Sequence, residues 1–124
     1  MITVAILGGG FMGASHAANY RALGGRVRVK TVASRGSDRA RAVAESVGAE
    51  LTVDVEAAIR DPEIDVVDIC LPTPFHREAT EAALAAGKHV FLEKPIALTL
   101  EDADAIVAAA GRSDSFFKIG RAHV

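Results

Sequence analysis

The residues Gly8-Gly9-Gly10-Phe11-Met12-Gly13 follow directly on the apolar run Ile2 to Leu7, and Gly8, Gly10 and Gly13 fit the spacing G-x-G-x-x-G. In a turn from strand to helix each of these glycines has its own task. The first permits a tight turn, the second lets backbone approach a phosphate with no Cβ in the way, and the third lets the helix pack closely on the strand. The helix opening at Phe11 and Met12 then presents unpaired N–H groups and the positive end of its dipole to an anion. That is chemistry for holding the pyrophosphate of a dinucleotide. A glycine-rich turn between strand and helix is in some proteins only a turn. Here its place near the N-terminus, with a second strand following, points to dinucleotide binding.

The end of that second strand bears on which dinucleotide is bound. About 20 positions past the motif, an acidic residue would hold the ribose hydroxyls of NAD. Counting 21 positions from Gly13 reaches Ser34, followed by Arg35, and neither is acidic. Serine removes a carboxylate that would repel a 2'-phosphate, and Arg35 offers that phosphate a forked, charge-assisted donor set. NADP is therefore favoured over NAD. The alternative is that Arg35 is a solvated loop residue and Asp38 reaches back to the ribose.

The elements that must position these residues alternate along the chain, as in βαβ units around a parallel sheet. Strands are expected at Ile2 to Leu7, Arg26 to Ser34, Leu51-Thr52, Asp65 to Leu71 and His89 to Leu92. The fourth is almost continuously apolar, as in a strand covered on both faces. Helices are expected at Met12 to Leu23, Arg39 to Val47, Val55 to Ile59, Phe75 to Ala86 and Leu100 to Ala110. Ser37 or Asp38 is placed to cap the second helix and Thr99 the last; Gly48, Gly87 and Gly111 are placed to close helices. The fold class is thus α/β, a doubly wound parallel sheet of Rossmann type.

Two further segments, Ile69-Cys70-Leu71-Pro72-Thr73-Pro74-Phe75-His76 and Gly87-Lys88-His89-Val90-Phe91-Leu92-Glu93-Lys94-Pro95, complete a pattern. With the glycine turn and His16, they stand in the order and spacing of the Gfo/Idh/MocA family, the glucose-fructose oxidoreductase and inositol dehydrogenase group, which the chain resembles over nearly its whole length. Glu-Lys-Pro after a buried strand is the most specific of these signals. The resemblance implies an NAD(P)-dependent oxidoreductase acting by hydride transfer on CH–OH groups of sugars, polyols or related compounds. It makes Lys94 catalytic and places Leu71, Pro72, Thr73, His76, Glu93, Lys94 and Pro95 beside the cofactor with Gly8, Gly10, Phe11, Met12, Gly13, Ser34 and Arg35.

Residue chemistry supports that role for Lys94. The carboxyl end of a parallel strand is where doubly wound folds place ligands, and Pro95 restricts its neighbour and could adopt a cis bond that turns Lys94 toward the crevice. A lysine there can donate to a substrate oxygen and join a proton relay. The alternative is a surface lysine paired with Glu93. His76 either organises the cofactor pocket or packs and caps its own helix. His16 reads as packing behind the loop, His89 as structural, and Cys70 as a buried structural thiol.

Composition sets the outer limits. The 124 residues are 50% hydrophobic, 24% charged and 5% aromatic with net charge -2, which suits one globular domain. Charges of both signs are interleaved, so nucleic-acid binding is not expected, and no apolar run is long enough to cross a bilayer. The absence of a signal-peptide pattern makes a cytoplasmic location the expectation. No Cys/His/carboxylate set has metal-ligand spacing, so no metal is expected, and no Ser or Cys elbow is present. Residues 1–118 are read as the NAD(P)-binding domain. The C-terminal substrate domain that the resemblance implies, with its pocket and oligomer interface, is absent, so the fragment alone should be inactive and homo-oligomers belong to the full-length protein. Residues 119–124 are either the start of a sixth strand or, fitting better, a non-native tail. Ile119 to Val124 is encodable by ATC GGA AGA GCA CAC GTC, the start of a common sequencing-library adapter whose next codon is TGA. Two rival functions are a non-catalytic dinucleotide module for redox sensing or assembly, and a semialdehyde or homoserine type of dehydrogenase sharing only the glycine turn. Glu-Lys-Pro argues against the first, and the Pro-Thr-Pro-x-His loop against the second.

Overall fold

The computed structural model describes residues 1–35 and 38–120. The order is β1 (Ile2–Leu7), α1 (Phe11–Ala22), β2 (Val27–Ala33), α2 (Asp38–Val47), β3 (Glu50–Thr52), α3 (Val55–Arg60), β4 (Val66–Ile69), α4 (His76–Ala85), β5 (His89–Leu92), α5 (Leu100–Arg112) and β6 (Phe117–Ile119). All strands run parallel in one sheet ordered β3-β2-β1-β4-β5-β6. The chain starts in the middle, winds out through β2 and β3, then crosses back over β1 to β4. This is the doubly wound Rossmann arrangement, and its reversal between β1 and β4 opens a crevice at the carboxyl ends of the strands.

Alternation along the central strands divides the core into two layers. Ala5 and Leu7 of β1 with Val67 and Ile69 of β4 face α3, α4 and α5, packing on Ile59, Ala83 and Ile106. Val4 and Ile6 of β1 face α1 and α2, packing on Ala17, Val43 and Ala44. Asp68 shares the parity of Val66 and Cys70, so its carboxylate is buried in the α1 layer of an otherwise apolar strand. The loop before β4 is held from the main chain: buried Lys88 donates through Nζ to the carbonyls of Asp61 at 2.6 Å and Ile64 at 2.8 Å. No helix among the described residues is long and apolar enough to cross a membrane.

Most expected elements form where the pattern places them, and the differences have local causes. Gly48 and Gly87 follow α2 and α4 at φ +69° and +77°. Gly111 does not close its helix: α5 runs to Arg112 and ends at Ser113, whose extended backbone (φ -98°, ψ 145°) stops the helical repeat. Thr99 caps α5 as expected, accepting from the Asp102 amide at 3.1 Å. β4 is shorter than the apolar run, because after the Cys70 amide donates to Leu7 at 2.8 Å the chain leaves the ladder. Asp38 is the first residue of α2, while Ser37, the other expected cap, lies outside the described residues, as do residues 121–124 of the tail. Ile119, the first residue of that segment, pairs with Leu92 in β6.

Leu92 has no exposed surface and joins β5 to the α4–α5 layer. Leu92→Ala should lower the unfolding free energy by about 2–5 kcal/mol, read as a lower urea midpoint at unchanged slope.

Candidate functional site

Three glycines of the β1–α1 turn meet three different surroundings. Gly8 has φ +106°, and a Cβ on it would stand 2.5 Å from the carbonyl oxygen of Cys70. Both the left-handed backbone and this contact exclude a side chain. A Cβ on Gly13 would stand 2.4 Å from the carbonyl oxygen of Gly8, so its absence lets α1 lie against the turn. Gly10 differs: a Cβ there would meet nothing within 4 Å. A Cβ on Gly9 would stand 2.4 Å from that of Ala40, so the turn is closed at Gly8, Gly9 and Gly13 and has open space at Gly10.

That space adjoins a crevice of about 680 Å³. Residues 8–12 form one side, Ser34 and Arg35 stand at the end of β2, and Cys70, Leu71 and Pro72 lead away from β4. Helix α1 has no acidic residue in its first turn and no side-chain cap, so the positive end of its dipole is left for an external anion. The Arg35 guanidinium carbon lies 5.8 Å from the centre of the Phe75 ring, across the mouth of the crevice. Sequence reasoning missed the apolar floor formed by Val55 and Ile59 of α3 with Ala79 and Ala82 of α4. Their i,i+4 and i,i+3 spacings mark one face of each helix, but not that these faces meet.

The remaining expected residues stand beside this crevice rather than in its wall. Pro95 follows a cis peptide bond from Lys94, and both residues are exposed in the turn after β5. Thr73 opens a 3-10 turn ahead of α4. His76 is buried behind the loop, with Nε2 2.8 Å from the Leu71 carbonyl oxygen and Nδ1 3.2 Å from that of Ile96. It thus stands between the Pro-Thr-Pro loop and the Glu-Lys-Pro turn, with a ring N–H to donate to a main-chain carbonyl there. His89 Nδ1 accepts from the Phe116 amide at 2.9 Å, joining β5 to the start of β6.

Glu93 faces inward, toward a polar cluster that the sequence did not disclose. His16 on α1 places Nδ1 2.7 Å from Asp68 Oδ2 and Nε2 3.0 Å from Glu93 Oε2. Tyr20 donates to the same Asp68 oxygen at 2.5 Å, Cys70 Sγ lies 3.4 Å from Asp68 Oδ1, and the Phe91 ring meets His16 edge to face. The hydrogen bond to Asp68, opposed by burial and aided by both carboxylates, holds the His16 imidazole above its ordinary 6.5. Burial first, then the Asp68 charge, pushes the Tyr20 phenol and Cys70 thiol up, so both stay protonated donors. His16, Asp68 and Cys70 bring one possible metal ligand each within 4.8 Å, a set invisible in sequence spacing. Their polar atoms bond one another.

Residues 2–120 match a family model described as "Oxidoreductase family, NAD-binding Rossmann fold". The chain is 46% identical over 92 residues to 1,5-anhydro-D-fructose reductase of Ensifer adhaerens, covering 73% of this chain and 27% of that protein. A solved levoglucosan dehydrogenase in complex with NADH and L-sorbose superposes with TM-score 0.88 at 33% identity, covering 96% of this chain and 34% of that one. Biliverdin reductase from Synechocystis, in complex with biliverdin and NADP+, gives TM-score 0.84 at 30% identity, covering 95% and 37%. The chain thus spans about a third of the length of these relatives.

The glycine geometry separates positions that the fold requires from one that it does not. Gly8→Ala and Gly13→Ala should each cost about 1–3 kcal/mol of stability, whereas Gly10→Ala should leave thermal unfolding within a degree or so of the parent. Differential scanning calorimetry of the three variants distinguishes them.

Proposed function

The chain belongs to the Gfo/Idh/MocA oxidoreductase family, and on that premise we propose that it is the dinucleotide-binding domain of a longer, NADP-preferring enzyme. That enzyme oxidises or reduces a carbinol group of a sugar, polyol or related hydroxy compound. The observation that carries the reading is the glycine cradle, closed by backbone at Gly8 and Gly13 and open at Gly10 beside the crevice. A pyrophosphate would be held at that opening by the first N–H groups of α1, with no side chain of Gly10 against it.

The roles of the other residues follow from their places. Ser34 and Arg35 stand where the adenosine end would lie. Arg35 meets a 2'-phosphate with a planar cation, and the Phe75 ring beneath it keeps the guanidinium over the mouth. The bound nicotinamide supplies the hydride acceptor or donor. Lys94, exposed at the carboxyl end of β5, hydrogen-bonds the substrate oxygen and holds the proton that this oxygen loses or gains. His76 fills the space between the two loops and donates its ring N–H to a main-chain carbonyl of one of them. Relatives named for sugar derivatives support the substrate class, and biliverdin reductase in complex with NADP+ supports room for the 2'-phosphate in this fold.

Two measurements test this. In the full-length enzyme Lys94→Met should lower kcat by about 10²-fold or more while the dinucleotide Kd stays within threefold; unchanged turnover removes the assignment. By isothermal titration, the parent should bind NADPH more tightly than NADH, and Arg35→Ala should weaken NADPH by about tenfold or more while leaving NADH unchanged. Tighter binding of NADH by the parent overturns the cofactor preference.

A further inference from the structure

Helix α1 reaches both ends of the site. Its first turn lies over the glycine cradle, and one turn later His16 extends over the sheet to β4 and to the end of β5. The groups facing its ring are Asp68 of β4, Cys70 just after β4 and Glu93 just after β5, with the Phe91 ring against it; Tyr20 of its own helix shares the Asp68 oxygen. Asp68 has no exposed surface, and Tyr20 and Cys70 donate to it as well as His16. Glu93 is differently placed. Among the described residues its carboxylate has His16 as its side-chain partner, and the residue is buried.

A neutral imidazole has one N–H, whereas two carboxylate oxygens lie 2.7 and 3.0 Å from the two ring nitrogens of His16. Both oxygens accept a hydrogen bond only when both nitrogens carry protons. We propose that His16 is a positioning residue: as an imidazolium bridging Asp68 to Glu93, it fixes the Glu-Lys-Pro turn, and with it Lys94, relative to the phosphate-binding end of α1. This rests on the reading of Lys94 given above. When the ring loses a proton, the Nε2 lone pair faces the Glu93 carboxylate; the two repel, and the turn that carries Lys94 is released from α1.

The direction of the pH effect follows from the raised value. The His16 pKa lies above its ordinary 6.5 in the folded chain, so the bridge is complete below 6.5 and is lost as pH rises through the raised value.

Nitrogen-15 histidine and backbone-amide NMR on this chain tests the bridge without any turnover. His16 should titrate above 6.5 with both ring nitrogens protonated on the acid side, and the Lys94 amide should move with the same midpoint. In Glu93→Gln the His16 midpoint should fall and the Lys94 amide should cease to follow it. Where that variant fails to fold, His16→Gln serves instead, with the Lys94 amide losing this titration. A His16 midpoint at or below 6.5, or a Lys94 amide that ignores it, overturns the proposal. In the full-length enzyme His16→Gln should lower kcat by about tenfold, keep the dinucleotide Kd within twofold and flatten the alkaline fall of the kcat profile. An equal loss of turnover and binding at every pH marks a merely structural residue and overturns it too. Turnover retained by Lys94→Met removes the catalytic reading of Lys94 and leaves the NMR to decide the bridge by itself.

Discussion

The ends of β1 and β4 approach so closely that the Cys70 carbonyl oxygen occupies the place of any side chain on residue 8. This backbone contact governs what surrounds it. It brings the two strands together at the reversal of winding, so that the crevice opens directly above them. The turn carrying Gly8 then has to rise steeply before α1 can begin, and Gly13 lets the helix settle on that turn with its first N–H groups toward the opening. A residue larger than glycine at either position would move the helix start, and with it the cradle.

The buried carboxylate of Asp68 imposes a second demand. A charge with no exposed surface requires donors, and the helix crossing above it carries His16 and Tyr20 one turn apart. An apolar residue at 68 would leave α1 free to present an ordinary hydrophobic face. With aspartate there, α1, β4 and the turn after β5 are joined by directional bonds in the layer beneath the site, and directional bonds define orientation better than apolar contact does. Lys88 acts similarly at the far end of β4, where it holds two carbonyls of the preceding loop.

How much of this was legible in the sequence depended on whether the signal was local. The strands, the helices and the spacing of Gly8, Gly10 and Gly13 follow from periodicity and turn chemistry within a few residues, and those elements stand where expected. Gly111 misled because glycine after an apolar helical run reads as a stop, yet the helix continues while packing on Ile106 and Ala109 holds it. The cluster of His16, Tyr20, Asp68 and Glu93 was not legible, since its members are up to 77 positions apart, from His16 to Glu93, and meet only after the sheet is wound. The one available signal was Asp68 itself, a carboxylate in the middle of a strand otherwise read as buried. The crevice floor was hidden for the same reason, being made of alanines and branched residues that look like ordinary core.

The end of β2 is pinned by its main chain. Ser34 donates its amide to the Thr52 carbonyl at 2.8 Å, and the Ala33 carbonyl accepts from Gly8 at 2.8 Å. Neither bond depends on the side chains of Ser34 or Arg35, which stand partly or fully in solvent. These two positions are therefore open to exchange during divergence while the glycine turn is not: under the proposed role of Ser34 and Arg35, descendants of this domain could alter their choice of electron carrier by substitutions that the scaffold does not register.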